Sequence, residues 1–138
     1  MRSRLLLLLL ALPSIALAQQ APPIRVAFPM PPEYREIQVR AQETQRNLLL
    51  SMVDSMPERA YRIPAAAGQR DFAEQIHHAA NADLYIVSHY ILGWDSLPFK
   101  ADTAQVLNSR DGLRRFVDQA YGFSLRVLKE ETADDRQV

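Results

Sequence analysis

From Leu48 to Leu128 the apolar residues recur at helical spacing, and no stretch alternates with the two-residue period of a strand. An all-α fold follows. The first helix opens at Pro32 or Glu33, since proline suits a first helical turn, and ends near Met56 ahead of Pro57. Leu48, Leu49, Met52, Val53 and Met56 stand at i, i+1, i+4, i+5 and i+8, which predicts a stripe facing the core. Met52 and Met56, one turn apart, have the softness of copper ligands, but their apolar neighbours favour packing.

A second helix starts at Asp71-Phe72-Ala73-Glu74, a capping-box pattern in which two side chains satisfy otherwise unpaired amides. Phe72, Ile76, Ala79, Ala80, Asp83, Ile86, Val87 and Tyr90 are expected on one side of it, with its end near Gly93. A third runs from Ser109 to about Glu131, with Leu113, Phe116, Val117, Ala120, Phe123, Leu125, Val127 and Leu128 as its apolar face. Gly112 and Gly122 lower its helix propensity without ending it. Residues 57–69 and 94–108 read as connections. The expected architecture is an up-down helical bundle.

The N-terminus carries an address. Arg2 and Arg4 precede the apolar run Leu5 to Leu12, and Ala16-Leu17-Ala18 matches an A-x-A cleavage site before Gln19. The run falls short of the roughly 20 residues that span a bilayer, so a cleaved signal peptide over 1–18 and a periplasmic or secreted product are expected, with no stable membrane anchor. Residues 19–32, with Pro22, Pro23, Pro29, Pro31 and Pro32, read as an extended leader, and 33–138 as the domain.

Loss of Arg2 and Arg4 would take the 16 basic residues to 14, against 16 acidic ones. A net charge near −2 gives no electrostatic reason to expect nucleic acid as a partner. The chain has no cysteine, which excludes thiolate nucleophiles, iron–sulfur clusters and disulfides.

The clustered metal-ligand types are His77, His78 and His89. Adjacent helical residues point about 100° apart, and His78 and His89 are separated by roughly 16 Å of helical rise. A zinc site needs three or four protein ligands, and neither HExxH nor HxxxH occurs. Asp83 falls in the middle of an apolar stripe, where an unpaired charge is costly. Spacing alone therefore assigns no catalytic residue.

The stretch Leu48-Leu49-Leu50-Ser51-Met52-Val53-Asp54-Ser55-Met56-Pro57-Glu58-Arg59-Ala60-Tyr61-Arg62 resembles the first helix and turn of the DinB-like superfamily. It continues through Pro64, Gly68-Gln69-Arg70 and Phe72-Ala73-Glu74-Gln75-Ile76-His77-His78-Ala79-Ala80-Asn81-Ala82-Asp83, which is similar to the family's second-helix pattern. The resemblance implies a four-helix bundle, of which three helices are present here. It also implies a divalent metal (zinc, nickel or iron) held by three histidines. His78 matches the second-helix ligand and Asp83 the polar position after it, where it would orient the site. His77 stands one position early. The H-x-x-x-H pair of the family's fourth helix has no counterpart in this chain.

Two readings result. One is a metal-dependent hydrolase or transferase of the DinB-like kind with an incomplete site. The other is a non-catalytic helical module that dimerises or takes up a partner helix along an open bundle face. Phe72, Tyr85, Tyr90 and Trp94 either line a pocket beside His78 or join the core, and Asp83, if structural, would pair with an arginine of a neighbouring helix.

Overall fold

The computed structural model describes residues 30–130. The expected signal peptide, most of the leader and the tail beyond Glu130 lie outside the described residues. Four α-helices follow in order: α1 (Pro32–Ser55), α2 (Phe72–Ile86), α3 (Thr103–Leu107) and α4 (Arg110–Glu130). A 3₁₀ turn occupies Glu58–Ala60, and a π-helical turn, Val87–Ile91, follows α2 directly. Among the described residues there is no strand, in keeping with the all-α expectation.

Local chemistry sets the ends. Met56 precedes Pro57, whose ring disfavours helical geometry in the residue before it, and Met56 is extended at φ −74°, ψ 127°. At the start of α2 the capping box forms in full. The Glu74 amide donates to Asp71 Oδ1 at 2.8 Å, and the Asp71 amide donates to Glu74 Oε2 at 3.0 Å. Arg62 reaches the other Asp71 oxygen at 2.9 Å, tying the connection to the cap. Tyr61 is buried at this junction, where its hydroxyl donates to the Val53 carbonyl at 2.7 Å and its ring meets Phe72.

Past Ile86 the helix widens. The Leu92 amide donates to the Val87 carbonyl at 3.0 Å, an i→i+5 bond, and the Trp94 amide to the Ser88 carbonyl at 2.8 Å. Gly93 then ends the turn at φ +65°, a conformation that costs glycine little. The widening changes which side chains face inward: Val87, Ser88 and Leu92 are buried, while Tyr90, expected on the core side, is exposed. Ile86, also expected there, is exposed because the regular helix before the turn already points it away from Ile76 and Ala80. The second connection holds the short helix α3. Asp102 caps it by accepting from the Ala104 amide at 3.0 Å. Ser109 caps α4 through the Gly112 amide at 3.0 Å.

α4 is the central element. It packs against α1, α2 and α3, whereas α1 and α2 scarcely touch each other. Leu113, Phe116, Val117, Ala120, Tyr121, Phe123, Val127 and Leu128 of α4 are all buried. α1 lies antiparallel to α4, as the cross-links Asp54–Arg114, Arg46–Asp118 and Glu43–Lys129 show. α2 runs parallel to α4, because His77 meets Phe116 at one level and Asp83 meets Ser124 further along both helices. The up-down alternation expected of the bundle therefore stops at α2. The cause is the connection between residues 92 and 109, which carries the chain back along the bundle before α4 begins.

The α1 stripe is also narrower than its pattern implies. Leu49 and Val53 are buried and Met56 packs beside them, but Leu48 is 58% and Met52 41% exposed. α1 has one helical neighbour along its length, and that neighbour covers only part of a five-residue arc.

Candidate functional site

One polar cluster sits inside the bundle, and all three long helices build it. Asp83 of α2 is half-buried. Gln42 Nε2 of α1 donates to its Oδ1 at 2.7 Å, and Ser124 Oγ of α4 donates to its Oδ2 at 2.5 Å. Ser124 is fully buried, and so is Tyr121, one turn before it on α4. Burial, and then the nearby Asp83 carboxylate, pushes the Tyr121 phenol up to about 12. The expectation that Asp83 pairs with an arginine is not met: its hydrogen-bond partners among the described residues are a neutral amide and a neutral hydroxyl. Gln42 Oε1 is buried, with no donor among the described residues. The cluster thus presents one carboxylate and one orphaned acceptor, both calling for N–H groups or a positive charge.

The cluster bridges α1 and α2, which otherwise scarcely pack on each other. On the same two helices Leu48 and Met52 of α1, roughly 9 and 15 Å of helical rise from Gln42, and Ile86 of α2 are exposed. Helical periodicity places Met52 on the arc beside Leu49, and Ile86 on the arc beside Asp83. The opening between α1 and α2 is therefore bordered by apolar side chains.

The histidines go elsewhere. His78 is exposed, on the arc of α2 away from α4. Five helical residues turn its direction about 140° from that of Asp83, so the two are not brought together. His77 is half-buried and stacks on Phe116 with ring centres 4.6 Å apart. Burial lowers its pKa below the usual 6.5, and the neighbouring His78 charge lowers it further. His89 contacts Tyr85 at 4.1 Å in an exposed group that includes Tyr90. Phe72 packs on Tyr61, and Trp94 leans on Phe123, so these aromatics form no pocket around His78. Among the described residues no three His, Asp or Glu side chains converge as a metal site would require. The donors present do not fit the three-histidine centre that the family resemblance implies.

Gln42 and Ser124 were not singled out in the sequence, although each carries a signal. Gln42 lies seven and eleven residues before Leu49 and Val53 on the same arc, and Ser124 shares the arc of Val117 and Ala120. A polar residue on such an arc needs a partner inside.

No described helix is long and apolar enough to cross a membrane. Compared with protein-family models, curated proteins and solved structures, the chain matches none of them.

Proposed function

We propose that this chain is an exported helical module that acts by binding, taking up an amphipathic helix in the opening between α1 and α2. The observation that carries the reading is the Asp83 cluster: a carboxylate held by neutral donors beside an orphaned amide oxygen, with exposed Leu48, Met52 and Ile86 along the same two helices. The occupant that suits it is a helix whose apolar face carries one Lys or Arg opposite Asp83. Apolar contact would supply affinity, and the pairing of charges would fix orientation. With α1 and α2 packed on α4 and scarcely on each other, the side between them is free to take a further helix. Export rests on the signal pattern of residues 1–18. His78 lies off this face, so a metal-dependent reaction gains no support from the arrangement.

The test uses a designed amphipathic peptide of about 18 residues, roughly 27 Å as a helix, with a single Arg at the centre of its apolar face. It is titrated against the protein by calorimetry, beside a twin with Glu in place of Arg. The Arg peptide should bind at least about tenfold more tightly, a gap of roughly 1.4 kcal/mol. Asp83→Ala should erase that gap, and Leu48→Glu should weaken both peptides. Equal affinity for the two peptides, or indifference to Leu48→Glu, would refute the proposal.

A further inference from the structure

The outer face of α4, turned away from Ser124, holds an unassigned trough. Arg115, Gln119, Gly122 and Arg126 form one line along the helix at i, i+4, i+7 and i+11. Pro98, Phe99 and Lys100 of the second connection overhang that line. With Phe123 they line an open cavity of about 500 Å³. A smaller one of about 240 Å³ continues it past Lys100 and Gln119 to Arg115.

Two observations set this trough apart. The first is charge. Elsewhere Arg40, Arg46, Arg62, Arg114 and Lys129 each pair with a carboxylate, while Arg59 and Arg70 of the first connection and Arg110 at the start of α4 form no ion pair among the described residues and stand outside the trough lining. Lys100, Arg115 and Arg126 have no such partner among the described residues, and all three line the trough. Asp102, the one carboxylate in the lining, accepts from the α3 amides through Oδ1 and borders the smaller cavity, not the larger. Arg126 is held over the Phe123 ring, 5.6 Å from its centre.

The second is Gly122. Glycine inside a helix lowers stability relative to alanine, so its presence calls for a reason. Gly112 has one: a β-carbon there would stand 2.4 Å from the Gln105 carbonyl oxygen. Gly122 has none in the packing, because a β-carbon there would meet nothing within 4 Å and its φ is not positive. What its missing side chain does is leave the floor of the trough open.

We propose that the trough binds an amphipathic organic anion, a carboxylate or phosphate carried on an aromatic or short acyl body. The anionic group would sit between Lys100 and Arg126, and the body would lie over Gly122 against Phe99 and Phe123. The larger cavity falls within the roughly 300–1,000 Å³ of small-molecule sites. The inference stands apart from the helix-binding reading, since the two faces point in opposite directions from α4.

The test follows amide shifts of ¹⁵N-labelled protein during titration with 2-naphthoate, phenyl phosphate and inorganic phosphate. Both organic anions should shift Lys100, Gln119, Gly122 and Phe123 saturably and more tightly than inorganic phosphate does, and the tighter of the two names the anionic group. Gly122→Leu should abolish the shifts without lowering Tm, while the double variant Lys100→Gln, Arg126→Gln should weaken binding by at least about tenfold. Leu48→Glu should leave them unchanged. Binding that survives Gly122→Leu, shifts centred on α1, or inorganic phosphate binding as tightly as the organic anions would each overturn the proposal.

Discussion

α1 and α4 are of similar length, 24 and 21 residues, and both carry apolar side chains at helical spacing. Their fates differ. α4 buries nearly its whole apolar set, whereas α1 buries Leu49 and Val53 and leaves Tyr34, Ile37, Leu48 and Met52 in solvent. The difference lies in their neighbours. α4 is flanked by α1, α2 and the return connection with α3, while α1 packs chiefly on α4 and reaches α2 through Gln42. An amphipathic pattern states what a helix can bury, and its place in the assembly decides what it does bury.

The largest effect that would test this contrast is a pair of truncations. Phe116→Ala in α4 should cost about 3–5 kcal/mol in urea unfolding, and Leu48→Ala in α1 less than about 0.5 kcal/mol. Comparable losses would mean that α1 is covered in solution and would break the comparison. The next effect concerns the cluster joining the two helices. Asp83→Ala leaves Gln42 Nε2 and Ser124 Oγ without their acceptor and should cost about 1–3 kcal/mol. It should also bring the Tyr121 phenol down from about 12, with burial still keeping it above the usual 10. Ultraviolet titration reads this directly, and an unmoved Tyr121 would show that the carboxylate exerts no field there. In the parent protein the raised phenol contributes stability that is complete below pH 10 and is lost as pH rises from 10 toward 12, since the unfolded chain gives up that proton first.

The smallest effect belongs to His77. Its folded pKa lies below 6.5, so between the two values the unfolded chain binds more protons than the folded one. The stability it contributes is complete above pH 6.5 and falls as pH drops through that window. His77→Phe keeps a ring on Phe116 and should flatten the slope of denaturation midpoint against pH around 6. An unchanged slope would assign the acid sensitivity to other groups.

Much of this fold is legible in the sequence because helical period and end signals are local. Asp71 and Glu74 mark a start, Pro57 and Gly93 mark ends, and the α4 stripe reads correctly because α1, α2 and α3 together cover its apolar face. The α1 stripe is overread at Leu48 and Met52, since pattern alone does not count neighbours. Tyr90 is misplaced because the widened turn at Val87–Ile91 shifts the register, and no residue in it is a recognised breaker. Ile86, still in regular α2, stands about 100° from the arc of Ile76 and Ala80 and is overread. α3 was missed for its brevity, although Asp102 followed by Thr-Ala-Gln is a capping signal. Of the two site residues drawn from the resemblance, Asp83 does stand at a junction of three helices, while His78 faces away. Asp83's partners Gln42 and Ser124 are 41 residues distant on either side, a relation that only the folded chain reveals.

The parallel course of α2 and α4 has a kinetic consequence. Because α1 and α2 make little contact, the first two long helices form no stable hairpin on their own, and what they bury, they bury against α4. Nucleation must therefore wait for the last helix, with residues 92–109 closing a long loop before any core is gained. A chain built this way gains little core until α4 is available, so removing α4 should cost it far more structure than removing α1.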